Sequence, residues 1–262
     1  MLISSLQNPS VKNLVKLNKA RERRDQNLFV IEGARELSLA LAGDYSIKEV
    51  YVCEELFATS RYPNVLEGFP SESIIHISKQ VFEKVAYRAT SDGLVALARP
   101  KSHAISNLIL SSNPFIIILE AVEKPGNLGA ILRTADAAAV DAVVICDQQT
   151  DVYNPNVIRS SVGGLFTVQT AVCSTNEAMK WLNENSINSF AAELDAVDFY
   201  QDIDFSGPSA IVMGTEAEGL TKTWLNYVTK RIKIPMRGKI DSLNVSVSTA
   251  ILTFEAMRQR GF

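Results

Sequence analysis

Histidine is nearly absent: His76 and His103 are the only two in 262 residues. A hydrolase built on a histidine base is therefore not expected. Cys53, Cys146 and Cys173 are odd in number and have no CxxC spacing, which argues against a disulfide framework and against a zinc site. No metal is expected. Apolar runs such as Phe115–Leu119 are far too short to cross a bilayer. The opening MLISSLQNPSVKNLVK lacks the apolar centre of a secretory signal. A cytoplasmic protein with no membrane association is the expectation. Nucleotide signatures are missing too. There is no GxGxxG, and Gly214 to Gly219 has the spacing of a P-loop but puts Leu220 where the phosphate-binding lysine belongs. No GxSxG nucleophile elbow occurs.

What remains is a chain that is 47% apolar, enough for a full core and long enough for two modest domains. The net charge of −3 hides an asymmetry: residues 1–112 carry 14 Lys and Arg against 12 Asp and Glu, and residues 113–262 carry 12 against 17. Lys12, Lys16, Lys19, Arg21, Arg23 and Arg24 crowd the first 25 residues against Glu22 and Asp25 alone. Such a cluster suits a phosphate backbone, although a solvated helix face has the same composition.

Pro9 fits the first turn of a helix running to about Arg24. Strands are expected at 27–31, 47–53, 73–77 and 93–98, with helices between them, so residues 1–100 form a small α/β domain. Residues 101–113 resemble a linker, and 114–262 form the second domain. There the spacing predicts strands at 115–119, 142–146, 166–170, 188–194, 209–213 and 231–234. Helices are predicted at 128–140, 155–162, 175–185, 219–229 and 245–260. FIIIL, AVVIC and AIVM are apolar on both faces, which indicates a parallel sheet covered by helices. In the last helix, Val247, Ile251, Phe254 and Met257 fall at 3.6-residue spacing and are expected to face the core.

Ligands of such sheets bind at the carboxyl ends of the strands, and three polar stretches sit there. The first is Glu123-Lys124-Pro125-Gly126-Asn127-Leu128-Gly129, leading to Arg133 one helical turn after Gly129. The second is Gly214-Thr215-Glu216 through Gly219-Leu220. The third is Ile234-Pro235-Met236, Gly238, then Ser242-Leu243-Asn244-Val245-Ser246. Together these resemble the three motifs of the SpoU (TrmH-type) RNA ribose 2′-O-methyltransferases, part of the SPOUT superfamily, over about residues 113–262. The first half is similar to the family's substrate-binding domain of ribosomal-protein type, in Asn8-Pro9, Phe29-Val30-Ile31-Glu32-Gly33 and Arg35-Glu36.

The resemblance implies an α/β sheet whose C-terminal segment forms a trefoil knot, S-adenosylmethionine held in that knot, and a homodimer with each active site near the subunit interface. It implies transfer of a methyl group to a ribose 2′-hydroxyl, in ribosomal RNA rather than transfer RNA. The candidate cofactor residues are Gly214, Gly219, Ile234, Met236 and Leu243; Ile234 and Leu243 would equally suit an ordinary core. The candidate catalytic residues are Arg133, Asn127, Glu216, Ser242 and Asn244. The resemblance offers Arg133 as general base, but a guanidinium is too weak an acid to give up its proton readily near neutral pH. Clamping a phosphate and orienting the hydroxyl is the alternative role. Glu216 is expected to anchor its loop through backbone N–H groups or to meet Arg133. Asn127, Ser242 and Asn244 also read as helix caps. RNA contacts are expected from Lys12, Lys16, Lys19, Arg21, Arg23, Arg24, Arg35 and Arg159. The competing function is a catalytically inactive RNA-binding or ribosome-assembly protein on the same fold, which cofactor binding would separate from the enzyme.

Overall fold

The structure, a computed structural model, describes residues 2–87 and 92–261. The chain divides into two units, one of residues 1–101 with 151–167 and one of 102–150 with 168–262. In the first unit, strands β1 (Leu2–Ile3), β2 (Phe29–Glu32), β3 (Ile47–Val52), β4 (Ile74–Ile77) and β5 (Leu94–Ala98) form one sheet in the order β1-β4-β3-β5-β2. β5 runs antiparallel to both β2 and β3. Strand alternation sends Val30 to one face and Phe29 and Ile31 to the other. Val30 packs with a cluster containing Val11, Leu14, Leu17 and Phe82. Phe29 packs tilted on Tyr153 at 4.2 Å between ring centres, and Tyr45 meets Phe166 edge-on at 5.1 Å. The segment 151–167, expected in the second domain, thus supplies two aromatic rings to the first. Gly43 has no room for a side chain, because a Cβ would lie 2.4 Å from the Phe166 carbonyl oxygen.

The long N-terminal helix is two helices. Asn8 caps Pro9–Lys16, its side chain accepting from the Ser10 N–H, and a second helix spans Ala20–Gln26. Between them Lys19 is extended. The break is held by Arg23, which donates 2.8 Å to the Leu17 carbonyl and pairs with Asp151 at 2.7 Å. Arg23 is only 3% exposed, so the sequence expectation that it meets RNA is corrected: its charge is spent inside the fold. Arg23→Ala strands a buried carbonyl and a half-buried carboxylate, and should cost on the order of 3 kcal/mol. Denaturant unfolding would read this as a lower midpoint with an unchanged slope.

The second unit is a seven-stranded sheet. Its strands are β6 (Phe115–Glu120), β7 (Ala142–Cys146), β8 (Thr170–Cys173), β9 (Asn188–Ala192), β10 (Asp198–Phe199), β11 (Ser209–Met213) and β12 (Lys230–Lys233). The order is β10-β12-β9-β11-β6-β7-β8, and every pairing is parallel. β6, β7 and β11 are buried at every position, as strands apolar on both faces must be. Two expectations shift. The strand placed at 166–170 begins at Thr170, opposite Val143, because 164–167 is helical and Phe166 is committed to the aromatic cluster. Residues 102–113 are no free tether. Ile105, Leu108 and Leu110 pack on the core of this unit, and the Gln169 side chain clips both backbone groups of Ile109.

The C-terminal helix, Val245–Arg260, presents the face opposite to the expected one. It packs against the helix Pro125–Ala137 and β11. Val245, Thr249, Leu252, Thr253 and Ala256 are buried, while Val247 and Phe254 are 47% and 43% exposed. Small side chains let two helices approach closely, and the Thr249 hydroxyl is satisfied inside by donating 2.7 Å to the Val245 carbonyl. Size of contact, rather than apolarity, selects the inward face here. Among the described residues, no helix is long and apolar enough to cross a membrane.

Candidate active site

The site lies at the carboxyl ends of β6, β11 and β12. β11 delivers the chain into the loop 214–220, which folds back so that the Thr215 N–H donates 3.0 Å to the Gly219 carbonyl and the Gly219 N–H donates 3.1 Å to the Thr215 carbonyl. Two glycines make this possible. Gly219 has φ +69°, which favours a residue without a side chain. At Gly214 the constraint is space: a Cβ would fall 2.2 Å from the Gly219 carbonyl carbon and oxygen. The loop exit is fixed by Glu120, the last residue of β6. Glu120 is 4% exposed, and its carboxylate accepts from the Thr221 N–H at 2.8 Å and the Thr221 hydroxyl at 2.7 Å.

The Glu216 carboxylate is where the three stretches meet. One oxygen accepts from the Asn127 amide and, at 3.3 Å, from the Asn244 amide; the other accepts from the Lys124 ammonium. Asn244 also donates 3.2 Å to the Asn127 side-chain oxygen. Its own oxygen accepts from the Ser246 N–H at 3.0 Å, so Asn244 caps the C-terminal helix while its amide faces the site. The cap and the site role coexist in one side chain. Hydrogen bonds of this kind to an ionised carboxylate are stronger than neutral ones.

Two cavities adjoin this cluster. A larger one, of about 400 Å³, is lined by residues 193–195, 214–220, 232–234, Met236 and 241–243 and by Val245, Ser248, Leu225 and Leu252. A smaller one, of about 380 Å³, is lined by 122–124, Asn127, 214–217 and Val245. Residues 214–217 and Val245 line both, so the Glu216 loop is a shared wall. Gly214, Gly219, Ile234, Met236 and Leu243 all line the larger cavity, which puts the five candidate cofactor residues in one place.

The candidate catalytic residues divide. Asn127, Glu216 and Asn244 come together. Ser242 lines the larger cavity, and its hydroxyl donates 3.2 Å to the carboxylate of its neighbour Asp241. Arg133 is exposed on the helix Pro125–Ala137 and lines neither cavity. Glu216 therefore meets Lys124 and the two asparagines rather than the expected Arg133 or backbone N–H groups. Of the candidate RNA residues, Lys12, Lys16, Lys19, Arg21, Arg24 and Arg35 are exposed. Arg159 is held by the Asn156 side chain at 2.8 and 3.1 Å, with its guanidinium 5.7 Å from the Tyr87 ring centre. Sequence reasoning missed Lys124 and Glu120. Lys124 stood within the first loop, but a single charge before a proline carries no signal that separates it from ordinary surface.

The model of the SpoU rRNA Methylase family matches residues 114–254, and that of the MRM3-like substrate binding domain matches residues 8–96. The chain belongs to the SpoU rRNA methylase family. Among its relatives, the 23S rRNA (guanosine(2553)-2′-O)-methyltransferase of Bacillus subtilis is 30% identical over 252 residues, covering 96% of this chain and 97% of the relative. The 23S rRNA (guanosine-2′-O-)-methyltransferase of Escherichia coli K12 is 33% identical over 189 residues, covering 70% of this chain and 78% of the relative. A crystal structure of an RNA 2′-O ribose methyltransferase superposes with a TM-score of 0.88 at 36% identity, covering 99% of both chains. A structure of an rRNA methyltransferase from Sinorhizobium meliloti with AdoMet bound also gives 0.88, at 26% identity, covering 98% of this chain and 97% of that one.

The larger cavity in this SpoU chain fits S-adenosylmethionine. Its volume falls in the ~300–1,000 Å³ range of small-molecule sites. Ile234, Met236, Leu243 and Leu252 offer apolar contact, and the bare backbone at Gly214 permits close approach. Glu193, Asp195, Glu218 and Asp241 against Lys233 leave the lining net negative, which complements a ligand whose sulfonium and ammonium outweigh its one carboxylate.

Proposed function

We propose that this protein is an S-adenosylmethionine-dependent methyltransferase that modifies a ribose 2′-hydroxyl of ribosomal RNA in the cytoplasm. The observation that carries the reading is the shared wall. One loop separates a cofactor-sized cavity from a polar cavity, and the carboxylate at the divide is tied to residues of all three family motifs. S-adenosylmethionine, when bound, supplies an electrophilic methyl group. The chain's own work is to hold and orient. Glu216, Asn127 and Asn244 fix the wall, and Arg133, which lines neither cavity of its own chain, clamps an RNA phosphate from the exposed face of the helix that also carries Asn127. Ser242 and Leu243 close the larger cavity from the third loop.

In this reading residues 234–245 thread a trefoil knot. The chain leaves β12 near one flank of the sheet and returns to lay Val245–Arg260 on the helix that follows β6. A homodimer belongs to the same reading. The outward Val247 and Phe254 offer apolar surface for a second copy, on a helix packed against the one that carries Arg133. Val247→Glu with Phe254→Glu should convert a dimer to a monomer in sedimentation; a wild-type monomer would refute the dimer.

The purified protein, labelled cofactor and total RNA from a strain lacking the protein test the activity. Label should appear on nuclease-resistant ribose sites of ribosomal RNA; label on bases would refute the assignment. Replacing Lys12, Lys16, Lys19, Arg21 and Arg24 with Ala should weaken RNA binding and flatten its salt dependence by up to about one slope unit per lost phosphate contact.

A further inference from the structure

Lys124 belongs to the first of the three loops but was given no role there, yet it lines the smaller cavity and is the one cation among the described residues that do so. The other charged groups there are Glu123 and Glu216. An RNA strand brings one negative charge per nucleotide, so a methyl acceptor entering this cavity meets two carboxylates and a single ammonium. Lys124 is built to face it. Its backbone stands at the cap of the helix Pro125–Ala137, but its side chain makes no capping bond and is 68% exposed. An ammonium has three N–H donors, and the ion pair with Glu216 engages one of them.

The carboxylate does not depend on this partner for its position. Its other oxygen is held by Asn127 and Asn244. A second anion can thus approach Lys124 without releasing Glu216. We propose that Lys124 is a positioning residue that binds the phosphodiester adjoining the target ribose, with its ammonium bridging that phosphate and the Glu216 carboxylate. The bridge fixes the sugar against the wall shared with the larger cavity, and so sets the direction in which the 2′-oxygen faces the methyl donor. A compact ammonium suits a single phosphate oxygen held as a point charge.

This inference rests on the methyltransferase reading, and the experiment keeps the two apart. Lys124→Met removes the charge and keeps the stem; Lys124→Arg keeps the charge. Methyl transfer to ribosomal RNA from a strain lacking the protein is followed over a range of salt, with RNA binding and calorimetric S-adenosylmethionine binding measured in parallel. For Lys124→Met the KM for RNA should rise about tenfold and the salt slope should fall by roughly one unit, the loss of one phosphate contact. Cofactor affinity should stay within about twofold, and Lys124→Arg should restore most of the KM. An unchanged KM and salt slope would overturn the proposal. So would a parallel loss of cofactor affinity and melting temperature, which marks a structural role. Absence of methyl transfer by the wild-type protein would instead overturn the functional reading, and the salt slope of RNA binding would still decide the role of Lys124.

Discussion

Gly214→Ala should leave a folded chain that no longer holds S-adenosylmethionine. The added methyl group would lie 2.2 Å from the backbone of Gly219 and 2.5 Å from the Leu220 nitrogen. None of these is the far end of a flexible side chain, so the loop itself must move. Its two short backbone bonds, between Thr215 and Gly219, are the first to be lost. The buried strand β11 ends before this point, and the sheet should survive. Calorimetry should find cofactor affinity reduced by at least about tenfold, which is ~1.4 kcal/mol, with the melting temperature lowered by only a few degrees. Unaltered affinity would mean that the loop does not shape the cofactor cavity.

Glu216→Gln should separate binding from chemistry. The substitution preserves size, so volume is not at issue. A glutamine offers one acceptor oxygen and one amide, and the amide turned toward Lys124 or Asn127 sets donor against donor. The wall between the cavities then loses its fixed point, and a displacement near 1 Å costs on the order of 100-fold in a reaction that depends on alignment. The single-turnover rate of methyl transfer should fall by that amount while S-adenosylmethionine affinity changes by no more than a few-fold. An equal fall in both would assign Glu216 to the cofactor pocket.

The loops that gather at the site were legible where glycine and polar side chains follow an apolar strand, and the resemblance to the SpoU motifs singled out the residues within them. Asn127, Glu216 and Asn244 all stand just beyond or opposite such strand ends, where backbone turns sharply and side chains project past the sheet. Lys124 and Glu120 were not legible, because one charge at the end of a strand or before a proline has the pattern of ordinary surface. Arg23 illustrates the limit differently. Six basic residues in a row of 25 carry no mark of the one that turns inward to serve a helix break and a distant aspartate. The C-terminal helix misled through its large side chains: periodicity placed Val247 and Phe254 in the core, whereas close packing selected threonine and alanine. Arg133 matched its motif by position, but its place on an exposed helix face could not be read from spacing.

Residues 214–217 belong to both cavities, and this has a thermodynamic consequence. Ordering that stretch for one ligand orders it for the other, so the methyl donor and the nucleic acid must each raise or lower the other's affinity by an identical factor. With Glu120 pinning the exit of the loop, the segment has little slack through which such an influence could dissipate. Donor and acceptor are therefore expected to be energetically coupled through this stretch, and spent donor, lacking the sulfonium charge, should loosen the grip on the methylated strand.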